Sequence, residues 1–108
     1  MAIHTDLLQG SLDLLILRSL VLGPLHGWGI SKRLHQLSGD LLEIKQGSLF
    51  PALYRLEQRG WLDAEWGTST KGRKVKVYSL TKAGRKQLAA EQEQRLFSGA
   101  VARILSAT

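Results

Sequence analysis

Three histidines, His4, His26 and His35, are the only imidazoles in the chain, and there is no cysteine to join them. Without thiols, disulfides, thiolate metal sites and cysteine nucleophiles are all excluded. The histidines lack the close His/Asp/Glu spacing that brings two ligands to one metal, so they read as core or surface side chains. No nucleophile–base pair is recognisable, and the one glycine-rich segment, HGWGI, is not a phosphate cradle. Asp13, set among leucines, is expected to cap or bond nearby amino-terminal backbone. These residues call for no cofactor and no metal, and they point away from an enzyme.

The chemistry that is concentrated is charge. The net charge is +6, and its distribution is uneven. Residues 1–65 hold six Lys/Arg against seven Asp/Glu, residues 91–108 two of each, and residues 66–90 seven basic side chains with no acid. Those seven are Lys71, Arg73, Lys74, Lys76, Lys82, Arg85 and Lys86. A footprint this local fits a polyanionic partner, and a solvated basic face is the competing reading.

Positioning that charge requires a folded body, and 108 residues suffice for one core. The composition, 44% apolar and 22% charged, is that of a globular domain. No apolar run is long enough to span a membrane, and the amino terminus has no basic signal region, so a cytoplasmic location is expected. Ser11–Leu22 is a helix apolar nearly all round, which must be covered on more than one side, with a second subunit as one source of cover. Gly23-Pro24 ends it. Gly27–Leu37 is a second helix, followed by a short strand or extended connector over Leu41–Lys45. A third helix starts from Ser48 as N-cap, with Pro51 in its first turn and Gly60 as its C′ residue. Leu49, Ala52, Leu53 and Leu56 share one face of it. Pro51, Tyr54, Arg55 and Gln58 share the other, with Phe50 on the flank. Two strands, Trp61–Trp66 and Val75–Leu80, enclose an eight-residue basic loop. In the second, Val75 and Val77 alternate with Lys74 and Lys76. Thr81 caps a last helix, apolar again at Leu96, Phe97, Val101, Ile104 and Leu105. Three helices, a basic hairpin and a helix make a mainly α chain with a small β-hairpin: a winged helix-turn-helix over residues 1–80 with a carboxy-terminal helix over 81–108 in the same compact unit.

The segments LLQGSLDLLILRSLVLGPLHGWGISKRL (7–34), QGSLFPALYRLEQRGWL (46–62) and VYSLTKAGRKQL (77–88) resemble the PadR family across most of the chain. The resemblance implies a homodimeric winged-helix transcription factor, usually a repressor, on an inverted-repeat operator in double-stranded DNA. A small aromatic effector controls some members. It implies a dimer held by the carboxy-terminal helix on the first helix of the other subunit, which assigns Leu12, Leu15, Ile16, Leu96, Phe97, Val101, Ile104 and Leu105 to that interface. Three positions depart from the family: Phe50 stands where tyrosine is usual, Val77 replaces a second tyrosine, and a chain ending at Thr108 has one short terminal helix.

Within that frame Arg73, Lys74 and Lys76 are expected on phosphates, with Lys32 joining them from the second helix. Gln46, Ser48, Tyr54, Arg55 and Gln58, with Phe50 beside them, form the expected reading surface, of which two or three would touch bases. Trp28, Trp61 and Trp66 are expected in core or hinge packing, an aromatic pocket being the alternative. A winged-helix module that binds RNA or protein without an operator is the competing function.

Overall fold

In the computed structural model, which describes residues 3–4 and 9–107 and side chains from Leu12 to Ala107, the leucine-rich segment is helix α1 (Gln9–Ser19). It starts and ends earlier than its periodicity suggests. Residues 20–23 continue as a tight turn, with Val21 N–H on the Arg18 carbonyl and Gly23 N–H on the Leu20 carbonyl, both 3.3 Å. The apolar circumference is covered by this chain itself: α1 packs on helices α2 (Gly27–Leu37), α3 (Gln46–Gln58) and α4 (Lys82–Ser106). Leu12 is 2% exposed and Ile16 fully buried. Neither can meet another subunit without opening the core, and this corrects their assignment to a dimer interface. Leu15 stays half-buried against the core. The short strand β1 (Ile3–His4) pairs in parallel with β3 (Leu42–Glu43).

Helix α2 has the expected bounds. Its N-cap is His26, at the end of strand β2 (Leu25–His26), whose Nδ1 accepts the Gly29 N–H at 2.9 Å. Replacing His26 with alanine leaves that donor without its cap and should lower stability by about 1 kcal/mol in a denaturant melt. At the other end, Ser38 Oγ donates to the His35 carbonyl (2.9 Å) and accepts from Leu42 N–H (2.8 Å), leading the chain into β3.

Helix α3 is capped three residues before the expected Ser48. Its N-cap is Lys45, which makes no side-chain cap bond. Pro51 therefore falls in the second turn, where it denies the Gly47 carbonyl its i+4 donor. The buried face is Leu49, Ala52, Leu53 and Leu56, as the periodicity predicts. The helix closes in a Schellman motif. Trp61 N–H reaches the Leu56 carbonyl and Gly60 N–H the Glu57 carbonyl, both at 3.0 Å, with Gly60 at φ +77°.

Strands β4 (Leu62–Thr68) and β5 (Lys74–Leu80) pair antiparallel from Leu62↔Leu80 to Thr68↔Lys74, and β2 adds to the far side of β5. The strands run further than expected, so the supposed eight-residue loop is a tight turn. Ser69 N–H bonds the Arg73 carbonyl (2.8 Å), and Gly72 N–H the Ser69 carbonyl (2.9 Å). Gly72 has φ +77°, a conformation that excludes most side chains there.

Candidate nucleic-acid interface

The expected reading surface lies on the face of α3 turned from the core. Tyr54 is 64% exposed; Pro51, Gln58, Gln46 and Gly47 are exposed with it, and Ser48 is partly covered. Phe50 is half exposed because its ring lies on the backbone at the start of α2: a Cβ on Gly27 would stand 3.0 Å from Phe50 Cε1. Gly27 and Phe50 thus form one contact between the two helices of the helix-turn-helix.

The two flanks of α3 carry paired charge. Facing α1, Arg55 Nη2 lies 2.7 Å from Asp13 Oδ1, and Arg59 Nη1 lies 3.7 Å from Asp13 Oδ2. Arg59 also stands 5.2 Å from the centre of the Trp61 ring. Asp13 was expected to serve local backbone; its partners are instead more than forty residues away, which spacing along the chain could not reveal. Facing the sheet, Glu57 Oε1 holds Lys76 Nζ at 3.1 Å.

That contact lies on the inward side of the hairpin. Opposed residues of an antiparallel pair share a face, so Lys76 lies with Trp66, Ala64, Tyr78, Leu62 and Leu80. Leu62 and Tyr78 are buried, and Val75 and Val77 occupy the other face. The lysine–valine alternation would put the lysines outward. A half-covered Lys76 is tolerated inward because it meets a carboxylate and lies 5.7 Å from the Tyr78 ring centre. The hydrogen bond to Glu57 raises the Lys76 pKa above its ordinary value, and burial raises that of Tyr78. The ammonium is charged throughout the neutral range. The stability it brings is present below the ordinary lysine pKa and fades only as pH climbs through the raised one.

Lys76 is therefore a brace between wing and α3, while Arg73 and Lys74 stand exposed at the turn with Lys71 at its tip. Lys71 belongs to the basic run, and its place in the tight turn between the strands is what projects it. Arg85, from the same run, reaches the Val21 carbonyl at 3.5 Å. Lys32 is exposed on α2 with Nζ 5.0 Å from the Trp28 ring centre.

The tryptophans depart from expectation. Trp28 is 61% and Trp66 71% exposed, and only Trp61 packs against the core. Trp28 borders a groove of about 340 Å³ with Ser31, Lys32 and Glu43, whereas Trp61 borders a separate cleft of about 220 Å³ with Asp13, Arg59 and Glu91. Trp66, directly across from Lys76, extends the core face of the hairpin into solvent toward the wing tip. His35 bonds the Leu42 carbonyl through Nδ1 (3.0 Å), and no group of three metal-ligating side chains occurs among the described residues; the His4 side chain lies outside them. No helix among the described residues is long and apolar enough to cross a membrane.

The second half of α4 stands away from this body. Gly84 and Leu88 are its buried residues, and beyond position 91 every described side chain is exposed, including Leu96, Phe97, Val101, Ile104 and Leu105.

The fold and these segments have close counterparts. The model of the transcriptional regulator PadR-like family matches residues 16–90. A transcriptional regulator from Clostridium thermocellum superimposes with a TM-score of 0.82 at 29% identity, over 94% of this chain and 98% of the other. A PadR-like transcriptional regulator from Bacillus cereus gives 0.74 at 25% identity, over 95% and 99%. An uncharacterized protein of Lysinibacillus sphaericus is 29% identical over 86 residues, 80% of this chain and 79% of its own length. With the winged helix-turn-helix in place and the family model spanning most of the chain, this protein belongs to the PadR-like family of transcriptional regulators.

Proposed function

We propose that this regulator binds double-stranded DNA as a homodimer and represses transcription by occupying an inverted-repeat operator. The observation that carries the reading is the exposed face of α3 beside a basic hairpin that Glu57 and Lys76 fasten to it. An exposed helix of this width fits the major groove, and the wing tip then meets the flanking phosphates. Tyr54, Gln58 and Gln46 are the base-reading candidates, with Ser48 and Phe50 at the edge of the surface. Lys71, Arg73 and Lys74 hold phosphate from the wing, and Lys32 does so from α2. Trp66 lies against the sugar–phosphate backbone beside them.

The apolar stripe of α4 supports the dimer. Its counterpart on a second copy is the open groove of about 420 Å³ formed by Arg18, Val21, Leu22, Arg33, Gln36 and Leu37, where Leu22 and Leu37 are exposed. On this reading the partner's helix lies on the turn after α1, at Val21 and Leu22, and not on Leu12 or Ile16.

The test is a gel shift on the protein's own promoter region against random duplex and RNA competitors. Preference for promoter DNA is expected; equal binding of all three, or displacement by RNA, would overturn the reading. Changing Lys71, Arg73 and Lys74 together to alanine should weaken every duplex alike and flatten the salt dependence by about 0.9 log units per lost phosphate contact. An unchanged slope removes the wing from the interface.

A further inference from the structure

We propose that Asp13 is a specificity-determining residue that withholds the arginines of the reading helix from DNA. The proposal rests on the DNA-binding reading above. Arg55 and Arg59 lie one turn apart on the α1-facing flank of α3, between its buried stripe and its exposed face. One carboxylate on α1 takes both, Arg55 at 2.7 Å through Oδ1 and Arg59 at 3.7 Å through Oδ2. The Arg55 pair is largely covered, with the Asp13 side chain 21% and that of Arg55 35% exposed, and Arg59 is the looser partner at 51%.

Two arginines released beside a groove would reach phosphate. Phosphate contacts strengthen binding to every sequence and distinguish none. Glu57 does the corresponding thing on the opposite flank, drawing Lys76 into a 3.1 Å pair. The lysine that faces α3 from β5 is thus neutralised, and the two arginines share one acid that cancels one of their two charges. The exposed face keeps Tyr54, Gln58 and Gln46, neutral groups whose hydrogen bonds depend on which base edge they meet. The division is physical: the wing tip supplies charge that any duplex satisfies, and α3 is kept poor in charge so that mismatched bases are not compensated by phosphate attraction. Asp13 maintains that division from a helix that itself touches no DNA in the proposed docking.

The experiment measures the affinity of the full chain for promoter and random duplex across a salt series, for the wild type, Asp13→Asn, Arg59→Gln and the triple variant Asp13→Asn/Arg55→Gln/Arg59→Gln. Asp13→Asn should bind random duplex about tenfold more tightly at low salt, with a slope steeper by one to two units and a smaller preference for promoter DNA. The triple variant should return to the wild-type slope, which assigns the change to the arginines and not to loss of the acid's own repulsion. An unchanged slope in Asp13→Asn, or weaker promoter binding at an unchanged melting temperature, overturns the proposal; the latter would mean that Asp13 presents Arg55 to the bases. If Asp13→Asn melts, Arg59→Gln, which keeps the shorter pair, decides: a wild-type slope is expected, and a flatter one shows Arg59 already on phosphate. A wild type without promoter preference overturns the regulator reading alone. Elution from immobilised heparin still judges Asp13 in that case, later elution of Asp13→Asn being expected and unchanged elution overturning its role.

Discussion

Replacing Gly84 with alanine is expected to destabilise the fold by roughly 2–4 kcal/mol, lowering the melting temperature by more than about 10 °C. A Cβ at this position meets the Trp61 carbonyl oxygen and stands 2.7 Å from Leu80 Cδ1. The carbonyl is backbone and cannot rotate aside. It also accepts the Thr81 N–H at 3.1 Å, while Thr81 Oγ1 accepts the Gly84 N–H (2.9 Å) and donates to the Gly60 carbonyl (2.7 Å). The segment from Leu80 to Gly84 is therefore the joint where α4 seats on the end of α3. Relief of the clash must move α4, so the variant should also lose DNA affinity in proportion to how far the two reading heads of a dimer are displaced. Gly99→Ala is the matched control. It lies in the same helix with nothing within 4 Å of its Cβ position, and should stabilise by up to about 1 kcal/mol. Thermal melts of the two variants distinguish a packing requirement at Gly84 from a general tolerance of the helix. Equal small shifts would dismiss the joint.

A second large effect is expected from Phe97→Asp combined with Ile104→Asp. Both side chains are exposed on the outer half of α4 and neither belongs to the core, so the monomer fold should keep its melting behaviour apart from any contribution of dimerisation. Two carboxylates at the centre of the stripe are incompatible with a buried apolar interface. Sedimentation should report a monomer at micromolar concentration. Operator affinity should fall about 100-fold or more, because the second half-site is no longer delivered at the effective concentration that a dimer provides. A dimer that persists would move the interface elsewhere on the chain.

Leu49, Ala52, Leu53 and Leu56 were legible as a buried face because a helix repeats at 100° per residue whatever surrounds it. The bounds of α2 and the Gly60 stop were legible for the same local reason. The hairpin face was not. Strand alternation states that two faces differ, but the packing of Leu62 and Tyr78 on the core turns Lys76 inward with them, where Glu57 on another element meets it. The start of α3 was misplaced because Ser48 and Pro51 favour a later N-terminus by themselves, whereas the packed chain begins the helix at Gln46 without a side-chain cap.

Sequence by itself determined the order of the four helices and the hairpin, the site of the positive charge and the apolar stripe at the carboxy-terminal end, since all three depend on residues near one another in the chain; the two-residue strands β1 and β2 exist only through their partners. Tertiary structure alone decided which of those cations remain available. Pairing over distance assigned Arg55 and Arg59 to Asp13 and Lys76 to Glu57, and the turn at Gly72 left Lys71, Arg73 and Lys74 exposed. It also decided that Leu12 and Ile16 belong to the chain's own core, because three helices of the same molecule close around α1 before any partner could. Local periodicity records where a side chain points along its own element; only the packing of elements records what it meets there.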